Sequence, residues 1–457
     1  LQDLTYLQHS LPRDYRNQYI NRLNQNLKLS AGISYNWAFR NISLQPEYNY
    51  AYSYIKTDNP LYRLDKISGR DSSLFDRLPS ATSILATVLD NGNTYHFTEY
   101  QNSHQFNFCY RDLHSKLLKC EISVNLPVRI AHANLYYQRM GRHDVSRHSI
   151  FFEPNIWLKG NAWEIKAKMN SEFPDLTTMV NYRDDSNPMN IILGNTQLRN
   201  IHYYDIEGGK TFEGKKHSRL NINTGYHQTD NAVAYSLVFD KQTGVSTVQP
   251  ISVNGNYRID LGIGYTRPLD KKEKLSIDNQ ASFNYNHNVD MAMVQGATQS
   301  QRSIVNNWKI SNVLKLNYRP DDNYEFTLHV GGTYYLIKSQ REGFSNIHAG
   351  DYNIGMNAQI TLPWKLQLTT DLTMFARRGY QLSEMNTTDW IWNAQLSRSF
   401  INKKLLVKLQ GFDMLRQLSN TQYLMNAQGR TETWNNSIPR YVMLSLSWRF
   451  NVNPKKK

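Results

Sequence analysis

The sequence predicts an all-β protein, an antiparallel up-and-down β-barrel that crosses a membrane. Three observations predict it. Apolar and polar residues alternate in stretches of about ten or more residues, from one end of the chain to the other. The connections between those stretches are short and long in turn. A polar mean hydropathy of −0.62 accompanies 30 tyrosines and 9 tryptophans.

Each observation has a physical reading. A soluble chain of 457 residues would be expected to form about three domains, but no Pro/Ser-rich linker, long charge block or low-complexity tract divides this one. No run of about 18 apolar residues is present to make a membrane helix. A barrel wall shows lipid only every second residue, so its average stays polar. Tyrosine and tryptophan, apolar with a polar tip, gather where such a wall meets the membrane interfaces. A large soluble β-sandwich array would also alternate. It has no reason to sort its connections by length.

The first strand, near 26–39, carries Leu27, Leu29, Ala31, Ile33, Tyr35, Trp37 and Phe39 on one parity. After "RNIS", the next carries Leu44, Tyr48, Tyr50, Tyr52 and Tyr54 against Gln45, Glu47, Asn49 and Ser53. Further on, Tyr324, Phe326, Leu328, Val330, Tyr334 and Leu336 alternate with Glu325, Thr327, His329, Gly331 and Thr333. Short connections are expected at 40–43, 113–116, 159–162, 213–218, 269–274, 319–324, 362–365 and 401–404. Long polar ones are expected near 58–97, 139–148, 173–200, 230–252, 289–302, 341–348, 380–387 and 418–437. Short periplasmic turns and long outer loops are the layout of a bacterial outer-membrane barrel.

The last strand is "MLSLSWRF", with Leu444, Leu446, Trp448 and Phe450 on the lipid parity and Ser445, Ser447 and Arg449 toward the lumen. Lipid cannot hydrogen-bond a strand edge, so this strand must pair on both sides. The count is about seventeen strands, whereas single-chain bacterial barrels have an even number. The expected organisation is an extracellular N-terminal segment at 1–25, the transmembrane barrel at 26–450 and a periplasmic basic tail at 451–457. An odd count leaves the ends on opposite sides, so either the true count differs by one or the barrel's opening strands lie outside this chain; Leu1 is not an initiator methionine.

The net charge of +14 lies in turns and at the terminus, at Lys215-Lys216, Lys271-Lys272, Lys403-Lys404 and Lys455-Lys456-Lys457. Such turns suit anionic headgroups or solubility. No compact basic-aromatic motif concentrates the charge, so nucleic acid is not expected as a partner. Cys109 and Cys120 fall on opposite faces of neighbouring strands and are expected to be free thiols.

Two stretches carry a family resemblance. The last strand with its terminal aromatic residue resembles the insertion signal of outer-membrane proteins, here Leu444, Leu446, Trp448 and Phe450. "LGNTQLRNIHYYDIEGGKTF" (193–212) resembles the Gly-Asn-x-x-Leu stretch before a mid-barrel strand of TonB-dependent transporters, without the acidic residue that usually closes it. Together they resemble the C-terminal barrel portion of the TonB-dependent receptor superfamily, in the branch described as the outer membrane protein beta-barrel family. The resemblance implies a 22-stranded barrel normally plugged by an N-terminal domain, with seventeen of its strands here. It implies import of a scarce or large solute, gated by a plug from an N-terminal segment or a second chain. It also implies an energy-coupling protein and a surface lipoprotein as partners, beside outer-membrane lipid and lipopolysaccharide. The alternative is a non-transporting barrel that serves as scaffold in a multiprotein outer-membrane complex.

Candidate sites follow from parity and clustering. Lumen-parity polars Lys28, Glu47, Asp278, His329 and Asp371, with Lys408, would meet a plug or solute; a polar lumen is also what any such barrel has. "RMGRHDVSRHS" (139–149) offers Arg139, Arg142 and Arg147 to lipopolysaccharide phosphates. Its His143 and His148, near His132, are irregularly spaced and lack a carboxylate or thiolate partner, so they read as a solvated outer loop rather than a metal or haem site. The paired Asp of "YRDDSNP" (182–188) and "RPDDNY" (319–324) are too few for calcium, and the second is explained as a turn. Scattered Ser, His and Asp make no catalytic constellation. No enzyme activity, metal or cofactor is expected.

Overall fold

The computed structural model describes residues 2–6, 14–69, 77–115, 118–293, 297–341, 344–381, 383–418, 421–425, 430–434, 438 and 440–450. The tail at 451–457 lies outside the described residues. Seventeen wall strands form one antiparallel sheet bent into a ring. They are β1 (Leu23–Ser34, continued by Trp37–Phe39), β2 (Ile42–Asn59), β3 (Tyr95–Asp112), β4 (Glu121–Asn125 and Val128–Gln138), β5 (Arg142–Phe152 and Asn155–Lys159) and β6 (Trp163–Glu172). They continue as β7 (Ile201–Glu213), β8 (Arg219–Asp230), β9 (Asn256–Pro268), β10 (Leu275–Ala292), β11 (Gln301–Asp321) and β12 (Tyr324–Ser339). The last five are β13 (Ile347–Leu362), β14 (Leu366–Arg378), β15 (Thr388–Phe400), β16 (Leu405–Phe412) and β17 (Tyr441–Trp448). Pro127 and Pro154 stand at the interruptions of β4 and β5, where a proline cannot donate to a ladder.

The alternation predicted from sequence becomes two faces. The register Asp278↔Lys315↔His329 runs across β10, β11 and β12 on one face, while Leu316↔Leu328↔Met356 lies on the other. The second face carries the exposed apolar residues, among them Ile310, Leu328, Val330, Ile354 and Leu446. The first is polar and is the lumen face. Cys109, a lumen-face residue of β3, and Cys120, buried in the following turn, are both free.

Connections broadly sort by length as expected, although 113–120 is as long as 293–300 and longer than 340–346, and with one correction. Residues 40–41, 113–115 with 118–120, 160–162, 214–218, 269–274, 322–323, 363–365 and 401–404 turn at one end. At the other end lie the described residues of 60–94, 173–200, 231–255, 293–300, 340–346, 379–387 and 413–440, but also the tight turn 139–141. The outer loop expected at 139–148 is therefore mostly strand. Arg142, His143, Arg147 and His148 are ladder residues of β5, paired with Gln138, Tyr137, Ala133 and His132 of β4. This hairpin continues past the apolar part of the wall, so its outward residues turn polar and look like a loop.

One junction differs from the rest. The ring order sets β17 beside β1. Yet the register of β17 runs only to β16, that of β1 only to β2, and no ladder joins β1 to β17 among the described residues. The exposure supports the ladders over the ring order. Every residue of β1 is exposed, and so is every residue of β17 except Ser445. A strand paired on both sides has its backbone covered; these two have not. Being the first and last of an odd set of antiparallel strands, they also run in the same direction.

Candidate functional site at the barrel mouth

The connection 173–200 folds inward instead of standing in solvent. Asp175 caps a short 3-10 turn, Leu176–Met179, its carboxylate accepting from the Thr177 amide at 2.9 Å. Leu176, Met179, Val180 and Leu198 are buried against the lumen face of the wall, on Phe97 of β3, Ala133, Leu135 and Tyr137 of β4 and Val145 of β5. The Gly-Asn-x-x-Leu stretch explains the fold. A Cβ at Gly194 would stand 1.7 Å from the Val180 carbonyl oxygen, so only glycine allows the two segments to touch. The Asn195 amide donates to the Thr178 carbonyl at 2.9 Å, and its side chain donates to the Pro250 carbonyl at 2.8 Å. Leu198 is the apolar anchor.

A small sheet covers the mouth. Its order is Arg183–Asp184, Asn190–Leu193, Ser246–Val253, Ala232–Phe239. Residues 190–192 pair with 246–248 in parallel. Strand Asp14–Ile20, paired with Leu61–Arg63, leans on it, with Arg16 donating to the Ser186 carbonyl at 2.8 Å.

Arg139 ties these connections together. It is 4% exposed. Its guanidinium donates to the Gly92 carbonyl at 2.7 Å, to Asn93 and to Asp184 Oδ1 at 3.0 Å, and its Cζ lies 4.9 Å over the Tyr182 ring. Burial raises the Asp184 carboxyl, but Arg139 and the Ser186 amide outweigh it and hold the group below its ordinary range. The expectation that Arg139 meets lipid phosphates is thus overturned: its charge is spent inside the protein. Asp184 is equally committed, to Arg139 and to the Ser186 amide. Arg142 is exposed and faces Asp144 at 2.6 Å; Arg147 donates to Asn200 at 2.9 Å. His132 and His148 meet on the outward face at 3.1 Å, while His143 faces the lumen. No group of three metal-ligating side chains is found among the described residues.

Beneath this cover lies a cavity of about 720 Å³. Tyr95, Phe97, Tyr137, Tyr182 and Tyr235 line it. Tyr137 lies between Tyr95, at 5.6 Å between ring centroids and 19° between planes, and Tyr182, at 5.0 Å and 25°. Further along the lumen face, a charged ladder crosses β6 to β9. Lys168 meets Asp205, Asp205 meets His227 Nδ1, His227 Nε2 meets Asp260 at 3.3 Å, and Asp260 meets Arg258 at 2.6 Å.

The five lumen candidates share the lumen face but do not converge. Glu47 accepts from Asn49 at 2.6 Å, Asp278 from Thr266 at 3.0 Å and Asp371 from Asn393 at 3.0 Å. Lys28 lines a separate recess with Ser30 and Arg129, and His329 neighbours Lys315 in register. Sequence reasoning missed the tyrosines, the inward-tying role of Arg139 and the inward connection. The available signal was the apolar set Leu176, Met179, Val180 and Leu198 inside a supposedly polar loop. Leu444, Leu446, Trp448 and Phe450 are exposed.

A search of curated proteins finds no match. Among solved structures, the copper transporter OprC matches with a TM-score of 0.34 and 8% identity, over 94% of this chain and 81% of that one. The family described as "Outer membrane protein beta-barrel family" matches residues 297–448. The chain is an antiparallel β-barrel wall whose strands β11 through β17 lie in the stretch that is similar to the outer membrane protein beta-barrel family.

Proposed function

We propose that this chain is the main wall of an outer-membrane importer that recognises a scarce or large solute at its mouth and is gated by a plug. The observation that carries the reading is the covered, aromatic-lined cavity at the mouth of a polar lumen. A wall kept only as scaffold has no use for a recognition chamber on its inner face.

The uncovered edges of β1 and β17 support the rest. In lipid an unpaired edge costs several kcal/mol per unsatisfied group, so further strands must cover both. Because β1 and β17 run the same way, an odd number of strands completes an antiparallel ring. Five would make the 22-stranded size that the resemblance implies. Those strands and the plug come from a segment beyond these residues or from a second chain. In this reading the mouth faces the outside, the short turns the periplasm, and an energy-coupling protein drives release.

Two measurements test the proposal. A photo-crosslinker at Leu29 or Leu446 in the intact membrane should capture sequence other than the opposite seam strand; a direct Leu29–Leu446 crosslink would overturn the open seam. Cells deleted for the chain should lose energy-dependent uptake of at least one solute in a nutrient panel. Unchanged uptake, with a partner protein lost from the outer membrane, would favour the scaffold instead.

A further inference from the structure

We infer that three hairpins at the short-turn end of the barrel hold anionic phospholipid headgroups of the inner leaflet. The choice of leaflet rests on the orientation proposed above; the geometry does not. One arrangement recurs in "KTFEGKK" (210–216) of the β7–β8 hairpin, "RPLDKK" (267–272) of β9–β10 and "RSFINKK" (398–404) of β15–β16. A cation stands near the end of the first strand, an apolar residue follows two positions later, and two lysines stand in the turn.

The ladders place all three strand cations on the lipid face. Lys210 pairs with Trp163 and Ile222, Arg267 with Ile277, and Arg398 with Val407. These partners continue the outward rows of Ile263, of Leu316 with Leu328, and of Leu446. Phe212, Leu269 and Phe400 beside them are exposed. The Lys210 ammonium lies 4.7 Å over the Phe212 ring, and the Arg398 guanidinium 4.8 Å over Phe400.

A cation on the lipid face is costly at mid-membrane and tolerated only near the interface. At roughly 3.3 Å per residue, each of the three lies within about 10 Å of its strand end. A lysine or arginine stem can therefore run along the wall and carry its charge into the phosphate layer. There it needs a counter-charge, and the nearby carboxylates are engaged elsewhere. Glu273 meets His217, and Asp270 accepts from the amides of Lys272 and Leu275 at 3.2 and 2.8 Å. Among the described residues no carboxylate pairs with Lys210, Arg267 or Arg398. The His217–Glu273 contact also ties two of the turns together. Residues 210–217 and 267–274 thus form one patch, with seven Lys and Arg against three carboxylates. A zwitterionic headgroup brings such a patch no net charge. A phosphodiester of net negative charge complements it, held between the strand cation and the turn lysines.

The test uses the full chain purified with its native partners, stripped of lipid in neutral detergent. It is titrated with phosphatidylglycerol or phosphatidylcholine, and bound lipid is read by native mass spectrometry. Phosphatidylglycerol should bind at least about tenfold more tightly. Combining Lys210→Gln, Arg267→Gln and Arg398→Gln removes one cation from each hairpin. Phosphatidylglycerol affinity should then fall about fivefold, the factor corresponding to about 1 kcal/mol for one cation at an anionic surface. Lys309→Gln with Lys315→Gln, both lumen-face residues of β11, controls for lost charge and should change nothing. Heat-modifiable migration on gels reports whether each variant keeps its barrel. Should the triple variant lose it, Lys215→Gln with Lys271→Gln and Lys403→Gln, all in turns, replaces it. Equal affinity for the two lipids, a preference that survives these variants, or an equal fall in the control would each overturn the assignment. So would lipopolysaccharide held at these residues in place of phosphatidylglycerol. Orientation is scored separately: Asn402→Cys should resist an impermeant maleimide on whole cells. Labelling there would refute the orientation and with it the leaflet; no lipid preference without labelling removes the headgroup sites alone.

Discussion

Gly194→Ala is the sharpest test of the inward connection. The added Cβ would lie 1.7 Å from the Val180 carbonyl oxygen and 2.7 Å from its carbon. Real Cβ atoms keep at least 3.0 Å, so the two segments must part by more than an ångström. Val180, fully buried at 0% exposure, and its neighbour Met179 then lose their packing on the wall. Burying side chains of this kind contributes about 1.5–3 kcal/mol each, and partial relaxation leaves a cost of about 2–4 kcal/mol. The readout is hydrogen exchange. Segment 176–198 should exchange roughly 30- to 1,000-fold faster, the factor corresponding to that energy, while the amides of β10 to β13 stay protected. Gly262→Ala is the control, because nothing stands within 4 Å of its Cβ position. If Gly194→Ala leaves 176–198 as protected as before, the glycine contact does not hold the connection in place.

Three more outcomes are expected. Leu328→Arg on the lipid face should cost about 2–4 kcal/mol in folding stability and His329→Arg much less; equal costs in denaturant titrations would refute the face assignment. Arg139→Met should loosen 173–200 by on the order of 3 kcal/mol, because Asp184 loses its partner in a largely buried position; protease resistance of that segment equal to the parent would count against the knot. Asp184 has a folded pKa below its ordinary value of about 3.9, so its contribution is complete above that value and disappears as pH falls through the folded one. Protection of 176–198 should hold from neutral pH to about pH 5 and drop below about pH 4, and Asp184→Asn should remove the drop.

The wall was legible in the sequence because a barrel repeats one rule. Lipid on one side and a polar lumen on the other force every strand to alternate with period two, so parity alone placed Leu328 and Leu446 outward and Glu47, Asp278, His329 and Asp371 inward. The sorting of connections and the odd strand number were readable for the same reason, since both follow from strands reversing at alternate ends. The rule weakens where a strand rises past the apolar part of the wall. "RHDVSRHS" then carries polar residues on both faces, and its pairing with β4 was readable only from the ladder. The mouth obeys no repeat at all. Arg139, Asn93, Asp184 and Tyr182 lie far apart in the chain and meet because three connections converge on one opening. Leu176 and Leu198 are buried only because the lumen face offers Phe97 and Leu135 to receive them. Parity, a local property, was written in the sequence; convergence of distant connections depends on the curvature of the wall, and only the tertiary structure decided it.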